Sequence, residues 1–452
     1  MEEVQEPSLE RELPDAVVHA ILRRCDFEDV CRSACVDRRW HLIASDDSVW
    51  QCLCEKDFYL FQPSDHHGNI CPSYKEAYKL WCMNFRMYPR SVVVRAKRCW
   101  DSLRDWTSIN YPEIAHSLRP GVSEEDLNNF EGQLGWKLPL AVRVLYRFCG
   151  GQDRSPHLNE EDDSDEDSGV DRDYVGLFGG YRFYEHRVDV HFVSLQKALV
   201  LTEHFIPQWG DLGDARKWVI VAASFPLQKF FLLDCQDGSL FVGTRHLATH
   251  GGLMSCVPRT PEAADAQDSM LRWLEMYSSR LNSGTYTVQR FDGYDSISLY
   301  PELDPLCSEA VTDGVQVRSS AVFVPEHSTL EDDINFANYM FAYSIRMRLL
   351  ASEDHSPTNV YNSCQLVSRH WIIREDGAFR NEVRGGGVIG QYPLLRRGGR
   401  TYTYASCSPL NEPNGSIEGA FTFVPGSLTK PEGPQFLAKV AEFPLEVPSF
   451  IY

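Results

Sequence analysis

The spacing of apolar residues changes along the chain, and this change constrains the fold more than any other feature. Near the N terminus, Val17, Ala20 and Ile21 recur at helical spacing. Much later, apolar and polar residues alternate from Tyr339 to Leu349, the period of a strand with one buried face. A chain of 452 residues is also too long for one ordinary domain. The pattern predicts several domains of different secondary structure.

The predicted fold class is multidomain α+β, with four segments. A three-helix bundle at 9–55 precedes a helical connector at 56–99. Residues 100–283 combine helix signals with short apolar strands, which indicates a mixed α/β domain. Residues 300–448 contain short strands separated by Gly and Pro turns, which indicates an all-β sandwich.

Composition excludes several classes of function. The formal net charge of -20 opposes binding to nucleic acid through its phosphates and to anionic membrane surfaces. No apolar run is long enough to span a membrane, and the acidic N terminus does not resemble a signal peptide. The fourteen cysteines are scattered without a C-x-x-C pair, so we expect reduced thiols, no metal and no cofactor. The expected compartment is cytoplasm or nucleus.

An acidic run at 159–168 interrupts the middle domain. Charge repulsion and the lack of apolar groups predict a disordered loop there. Ser164 lies among the acids and is a candidate for an acidophilic kinase, although a plain solvated loop is the favoured interpretation.

The N-terminal segment carries a specific motif. Leu13-Pro14 is followed by an aliphatic helix, by Asp29-Val30, by Val36-Asp37-Arg38-Arg39-Trp40 and by Ser48-Val49-Trp50. This order resembles the F-box, from which it departs at Asp37 and Val49. Three short helices cannot bury enough apolar surface alone, so a partner is expected. The resemblance implies that this partner is a Skp-type adaptor, contacted by Leu13, Pro14, Val17, Ile21, Leu22, Val30 and Val36.

The middle segment opens with a helix start at Ser123 and continues through Leu134-Gly135-Trp136 to Tyr146–Gly151. It is similar to SUKH domains, although Cys149-Gly150 stands where that family has Asn-Gly. The resemblance implies a protein-docking module. A purely structural spacer is the alternative.

The C-terminal segment contains Gln365–Ile373, Val383–Pro393 and Tyr402–Ser406 in an order that resembles the ApaG domain, an immunoglobulin-like sandwich. Its glycines also fit G-x-G-x-x-G, but a dinucleotide site would need a following helix. The favoured interpretation is that the glycines permit turns. The alternative is an anion site formed by Arg384, Gly385, Gly387, Gly390 and Arg397.

No catalytic arrangement is evident. Ser368, Arg369 and His370 lie in an alternating strand and cannot all face one site, and no acid is visibly paired with His370. A packed or hydrogen-bonded strand histidine is favoured. The usual nucleophile, zinc and phosphate-loop motifs are also missing.

The order F-box, SUKH-like domain, ApaG domain resembles a class of F-box proteins found in plants and animals. It implies a non-catalytic substrate receptor of a ubiquitin ligase, which binds the adaptor, through it a cullin, and an unidentified protein substrate. The alternative is that the ApaG domain senses a phosphate- or nucleotide-type ligand.

Overall fold

The computed structural model describes residues 13–153, 176–210, 216–245, 252–258, 267–291, 294–329, 338–351 and 361–450. The predicted acidic loop, with Ser164, lies outside these residues. The chain forms two compact units. The first runs to Ser102 and includes Pro120–Glu124 and Leu140–Cys149; the remaining residues form the second. Among the described helices, none is long and apolar enough to cross a membrane.

The first unit begins with four helices, so the prediction of a three-helix bundle at 9–55 is wrong by one helix. These are α1 (Asp15–Leu22), α2 (Phe27–Ser33), α3 (Arg38–Ala44) and α4 (Asp47–Phe58). Aspartates begin three of them, because the carboxylates of Asp26, Asp37 and Asp46 accept backbone N–H groups in the first turns of α2, α3 and α4. The departure from the F-box pattern at Asp37 is therefore a helix cap, 2.8 Å from the Trp40 nitrogen.

Aromatic side chains pack helix α5 (Tyr74–Phe85) against α4. Tyr78 is fully buried, and its ring contacts those of Trp50 and Phe58. The Tyr78 hydroxyl donates to the buried Asp57 carboxylate over 2.6 Å, and Arg90 donates to the same carboxylate over 3.1 Å. These contacts make the connector a packed extension of the N-terminal helices.

Further helices follow the connector. They are α6 (Arg90–Asn110), α7 (Pro112–Ser117), α8 (Glu124–Leu134) and α9 (Leu140–Phe148). Helix α6 continues through the predicted domain border at 99/100. The predicted helix after Ser123 is α8. Short strands β1 (Leu118–Pro120) and β2 (Cys149–Gln152) flank α8 and α9 in sequence.

The second unit contains an eight-stranded mixed sheet in the order β8-β7-β6-β5-β4-β3-β10-β9. Only the β3–β10 pair in this order is parallel. The strands are β3 (Gly180–Phe183), β4 (His186–Phe192), β5 (Trp218–Phe225), β6 (Lys229–Asp234), β7 (Leu240–Thr244), β8 (Met254–Ser255), β9 (Thr287–Phe291) and β10 (Tyr294–Ser298). Helices α10 (Leu195–Phe205) and α11 (Ser269–Ser283) complete this mixed α/β domain.

The same unit ends in a sandwich of two antiparallel sheets, one ordered β11-β12-β13-β17 and the other β15-β14-β18-β19, with β16 also paired to β14. Trp371 and Phe421 pack edge to face, 5.1 Å apart, in its core. The strands are β11 (Cys307–Thr312), β12 (Val315–Phe323), β13 (Tyr339–Leu349), β14 (Ser363–Glu375), β15 (Ala378–Gly386), β16 (Leu394–Arg396), β17 (Tyr402–Leu410), β18 (Asn414–Pro425) and β19 (Phe436–Glu446). The predicted multidomain α+β class is confirmed.

A buried polar cluster connects the mixed sheet with the sandwich. The Glu326 carboxylate, just after β12, accepts hydrogen bonds from the Tyr181 hydroxyl at 2.7 and 2.8 Å. His186 Nε2 lies 2.8 Å from the same carboxylate, and His327 Nε2 lies 3.1 Å from His186 Nδ1. Because Tyr181 and His186 belong to the mixed sheet, this carboxylate of the sandwich region contacts two side chains of the neighbouring domain.

Candidate functional site

Helix α1 presents two different apolar faces. Val18 and Leu22 are buried, whereas Val17 and Ile21, four residues apart, remain 41% and 44% exposed. Residues at this spacing lie on the same side of a helix. The stripe noted in the sequence is therefore the exposed side of α1. Exposed aliphatic groups of this kind are typical of a surface that binds another protein.

Helix α3 packs against the start of α1 through Arg39. The Arg39 guanidinium contacts the Asp15 carboxylate at 2.6 Å and donates to the Leu13 carbonyl oxygen. Leu42 of α3 is 72% exposed, and Val36, in the turn before α3, is 58% exposed. The sequence analysis did not identify Leu42. The available signal was a leucine in a helix of seven residues, which is too short to bury all its apolar side chains.

The seven predicted adaptor-binding residues fall into two groups. Pro14, Val17, Ile21 and Val36 are exposed, and Leu13 is partly exposed. Leu22 and Val30 are buried, at 1% and 0% exposure, so their side chains support the small bundle from inside. We name the exposed residues Pro14, Val17, Ile21, Val36 and Leu42 the adaptor face, after the partner that the sequence predicts for them.

Helix α1 is also held to the start of α4. His19 Nε2 lies 2.8 Å from the Ser48 hydroxyl and 3.3 Å from the Asp46 carboxylate. Hydrogen bonds from Ser48, and then from His19, hold the pKa of Asp46 below its ordinary value. These contacts hold α1 against the start of α4 and leave Val17 and Ile21 on the exposed side of α1.

The glycine motif of the sandwich lies at the end of an edge strand. Gly385 is part of β15, whereas Gly387 and Gly390 follow it with φ angles of +57° and +76°. A Cβ on Gly387 would come within 2.4 Å of the Gln391 carbonyl oxygen, whereas one on Gly390 would meet nothing within 4 Å. Both positions therefore need the backbone freedom of glycine for a tight turn.

The two predicted anion-binding arginines are not brought together. Arg384 lies opposite His370 of β14, and Arg396, the neighbour of Arg397, lies opposite Ser363. Seven strand residues separate these positions, or roughly 23 Å. Arg384 pairs with Glu382, and Arg397 donates to the Tyr361 carbonyl oxygen over 2.6 and 3.0 Å. No contact among the described residues supports the predicted anion site.

His370 does have an acidic neighbour, which the sequence analysis did not find. Its Nε2 atom lies 2.6 Å from the Glu382 carboxylate on β15. Arg384 and then His370 hold the pKa of Glu382 below its ordinary value. The Ser368 hydroxyl instead donates a hydrogen bond to the Thr422 hydroxyl over 3.0 Å. The arrangement is a surface cluster in which Glu382 contacts both His370 and Arg384.

The cysteines whose pKa is shifted do not have the features of catalytic nucleophiles. Wherever the pKa of a described thiol is shifted, burial raises it; for Cys54, Cys235 and Cys364 it rises to about 12. A nucleophilic cysteine requires the opposite shift, because the thiolate is the reactive form. All fourteen cysteines are free thiols. No cluster of metal-ligating side chains occurs within the described ranges.

We expect Gly390→Ala to cost about 1 kcal/mol of stability through left-handed backbone strain alone. Gly387→Ala should cost at least about 1 kcal/mol more, because the new methyl group also meets the Gln391 carbonyl. Urea unfolding of the two variants measures the difference. Equal losses would contradict the assigned turn geometry.

Comparison with known proteins identifies two of the domains. Residues 331–425 match the family model described as the ApaG domain, and residues 11–56 match the model described as F-box-like. F-box protein SKIP16 of Arabidopsis thaliana is 43% identical over 448 residues, covering 97% of this chain and 98% of that protein. F-box only protein 3 of Homo sapiens is 27% identical, covering 94% and 80%. Protein ApaG of Anaeromyxobacter dehalogenans is 37% identical over 141 residues, covering 31% and 96%.

Proposed function

Because this chain belongs to the F-box proteins that also carry an ApaG domain, we propose that it is the substrate-recognition subunit of a Skp–cullin–F-box ubiquitin ligase. It docks on a Skp-type adaptor through the adaptor face and reaches the cullin through that adaptor. Its SUKH-like and ApaG domains hold a protein substrate. The complex works in the cytoplasm or nucleus.

The exposed aliphatic side of α1 is the observation that carries the proposal. Val17 and Ile21 lie within the F-box-like match and contribute little to the core of their own bundle. When a partner covers an exposed apolar side chain, the free energy falls by roughly 25 cal/mol per Å² of apolar area removed from water. Covering such groups favours stable association with an adaptor.

The chain contributes proximity to the reaction, and the chemistry belongs to other subunits. Holding a substrate beside a charged conjugating enzyme raises the effective concentration of its lysines. The upward shifts of the thiol pKa values support this division of labour, since ubiquitin relay through a cysteine requires an accessible thiolate.

We expect the purified chain to form no thioester with ubiquitin when mixed with activating and conjugating enzymes alone. After addition of adaptor, cullin and RING subunit, lysines of the chain itself should become ubiquitinated, because they are then held near the charged enzyme. Non-reducing and reducing gels distinguish thioesters from stable conjugates. A reducible ubiquitin adduct on the chain alone would contradict the non-catalytic role.

A further inference from the structure

A small cavity of about 140 Å³ lies where the mixed sheet meets the sandwich. Its polar lining includes Lys229 at the start of β6 and Arg280 in the last turn of α11. Leu299, Val322 and Phe323 contribute apolar walls. A cavity of about 150 Å³ can hold benzene, so this space suits one small apolar group and not a drug-sized ligand.

Lys229 is an unusual residue for such a place. Its side chain is among the largest that are fully buried, and its ammonium group lies over the Tyr181 ring, 5.4 Å from the ring centre. Burial lowers the pKa of Lys229, while the Glu326 carboxylate acts in the opposite direction. Since the Tyr181 hydroxyl binds Glu326, this tyrosine lies between the lysine and the buried carboxylate.

The charges that line the cavity favour an anion. Lys229 and Arg280 supply the basic groups of the lining, and Arg280 is oriented by a 3.0 Å hydrogen bond to the Tyr286 hydroxyl. Among the described lining residues, the carboxylate is that of Glu446, which is exposed to solvent, where water and salt screen its charge. A buried ammonium group interacts with an anion more strongly than a surface one, because the local dielectric is lower.

We propose that this cavity binds a small apolar group that carries a carboxylate, with Lys229 and Arg280 facing the charge and the Leu299, Val322 and Phe323 walls enclosing the apolar part. Two sources have this chemistry: the C-terminal residue of a protein and a free short-chain carboxylic acid. The first source rests on the proposed function, since it makes the cavity a reader of substrate C termini.

The test uses the full chain and three probes: the acetylated peptide Gly-Gly-Gly-Leu with a free C-terminal carboxylate, its C-terminal amide, and isovalerate. Calorimetry measures the Kd of each. We expect the free peptide to bind at least tenfold more tightly than the amide, because the amide lacks the charge. If isovalerate binds as tightly as the peptide, the cavity reads free acids; if it binds far more weakly, the cavity reads C termini.

Variants connect any binding to the cavity. Lys229→Met removes the buried charge, and Lys217→Met makes the same change at an exposed lysine of the same unit. We expect a loss of at least tenfold in affinity for Lys229→Met and no change for Lys217→Met. Leu306→Trp is a second test that does not disturb buried groups, because Leu306 lines the cavity and is 43% exposed. It should block binding while the chain stays folded.

Equal binding of peptide and amide, or no binding of any probe, would overturn the inference. So would unchanged affinity in both Lys229→Met and Leu306→Trp. Adaptor binding by the same samples is measured in parallel. If the wild-type chain binds the adaptor but none of the probes, only the cavity site is contradicted. If the wild-type chain does not bind the adaptor, the proposed function is contradicted.

Discussion

Ile21→Glu should weaken binding to a Skp-type adaptor by at least about 30-fold, which corresponds to roughly 2 kcal/mol at a central interface residue. The substitution places a charge on the exposed side of α1, where the proposed partner presents apolar groups. Stability should change by no more than about 0.5 kcal/mol, because Ile21 is largely exposed and glutamate is the better helix former. Calorimetric titration and urea unfolding measure the two quantities.

Val200→Glu is the matched control. Val200 is also an exposed aliphatic residue of a helix, α10, but it lies outside the F-box-like match. The control should bind the adaptor like the wild type. Equal losses in both variants would indicate a general charge effect, and an unchanged affinity in Ile21→Glu would remove α1 from the adaptor interface.

The second large effect concerns Glu326, the buried carboxylate between the mixed sheet and the sandwich. Glu326→Gln should cost about 3 kcal/mol of stability, because it removes the negative charge that favours the ammonium form of the buried Lys229 and weakens the contacts to Tyr181 and His186. The exposed pair of His370 with Glu382 offers the same chemistry in water. Glu382→Gln should therefore cost far less stability than Glu326→Gln, because solvent screens the exposed pair. Thermal and urea unfolding compare the two variants.

The Glu326 contribution also has a defined pH dependence. Burial acts to raise the pKa of Glu326, but His186, Lys229 and Tyr181 together outweigh it and hold the pKa below the ordinary value of 4.5. The stabilisation is therefore present above that ordinary value and is lost as the pH falls through the lower folded-state pKa. The stability gap between wild type and Glu326→Gln should be widest near neutral pH and shrink in acid. A gap that grew on acidification would contradict this assignment.

Strand positions were the most predictable part of the fold, but the wet face expected for Tyr339–Leu349 is wrong, because Ala342, Ser344 and Arg346 of this strand are buried as well. The alternation from Tyr339 to Leu349 matches β13 residue for residue, and β6 (Lys229–Asp234) is one of the short apolar strands predicted within 100–283. Strand β15, in contrast, was missed, because this edge strand is exposed on both sides and shows no alternation. The spacing of apolar residues reflects which side chains are buried, so a strand with few buried side chains shows little periodicity.

The sites were harder to predict than the elements. Strand register places His370 beside Glu382, although no local motif connects these two residues. The same register separates Arg384 from Arg397. For the adaptor face, the motif identified the correct helices, but Leu22 and Val30 are buried while Leu42 is exposed. Which side of a short helix faces inward is decided by packing against its neighbours, and about two turns of sequence do not specify it.

The central claim is tested most directly by mixing the purified chain with a purified Skp-type adaptor and measuring the complex by calorimetry and light scattering. We predict that the wild type forms a stable one-to-one complex and that the Leu13→Ala/Pro14→Ala double variant, although folded, does not. A wild-type chain that is folded and yet forms no complex would contradict the assignment as a ligase subunit.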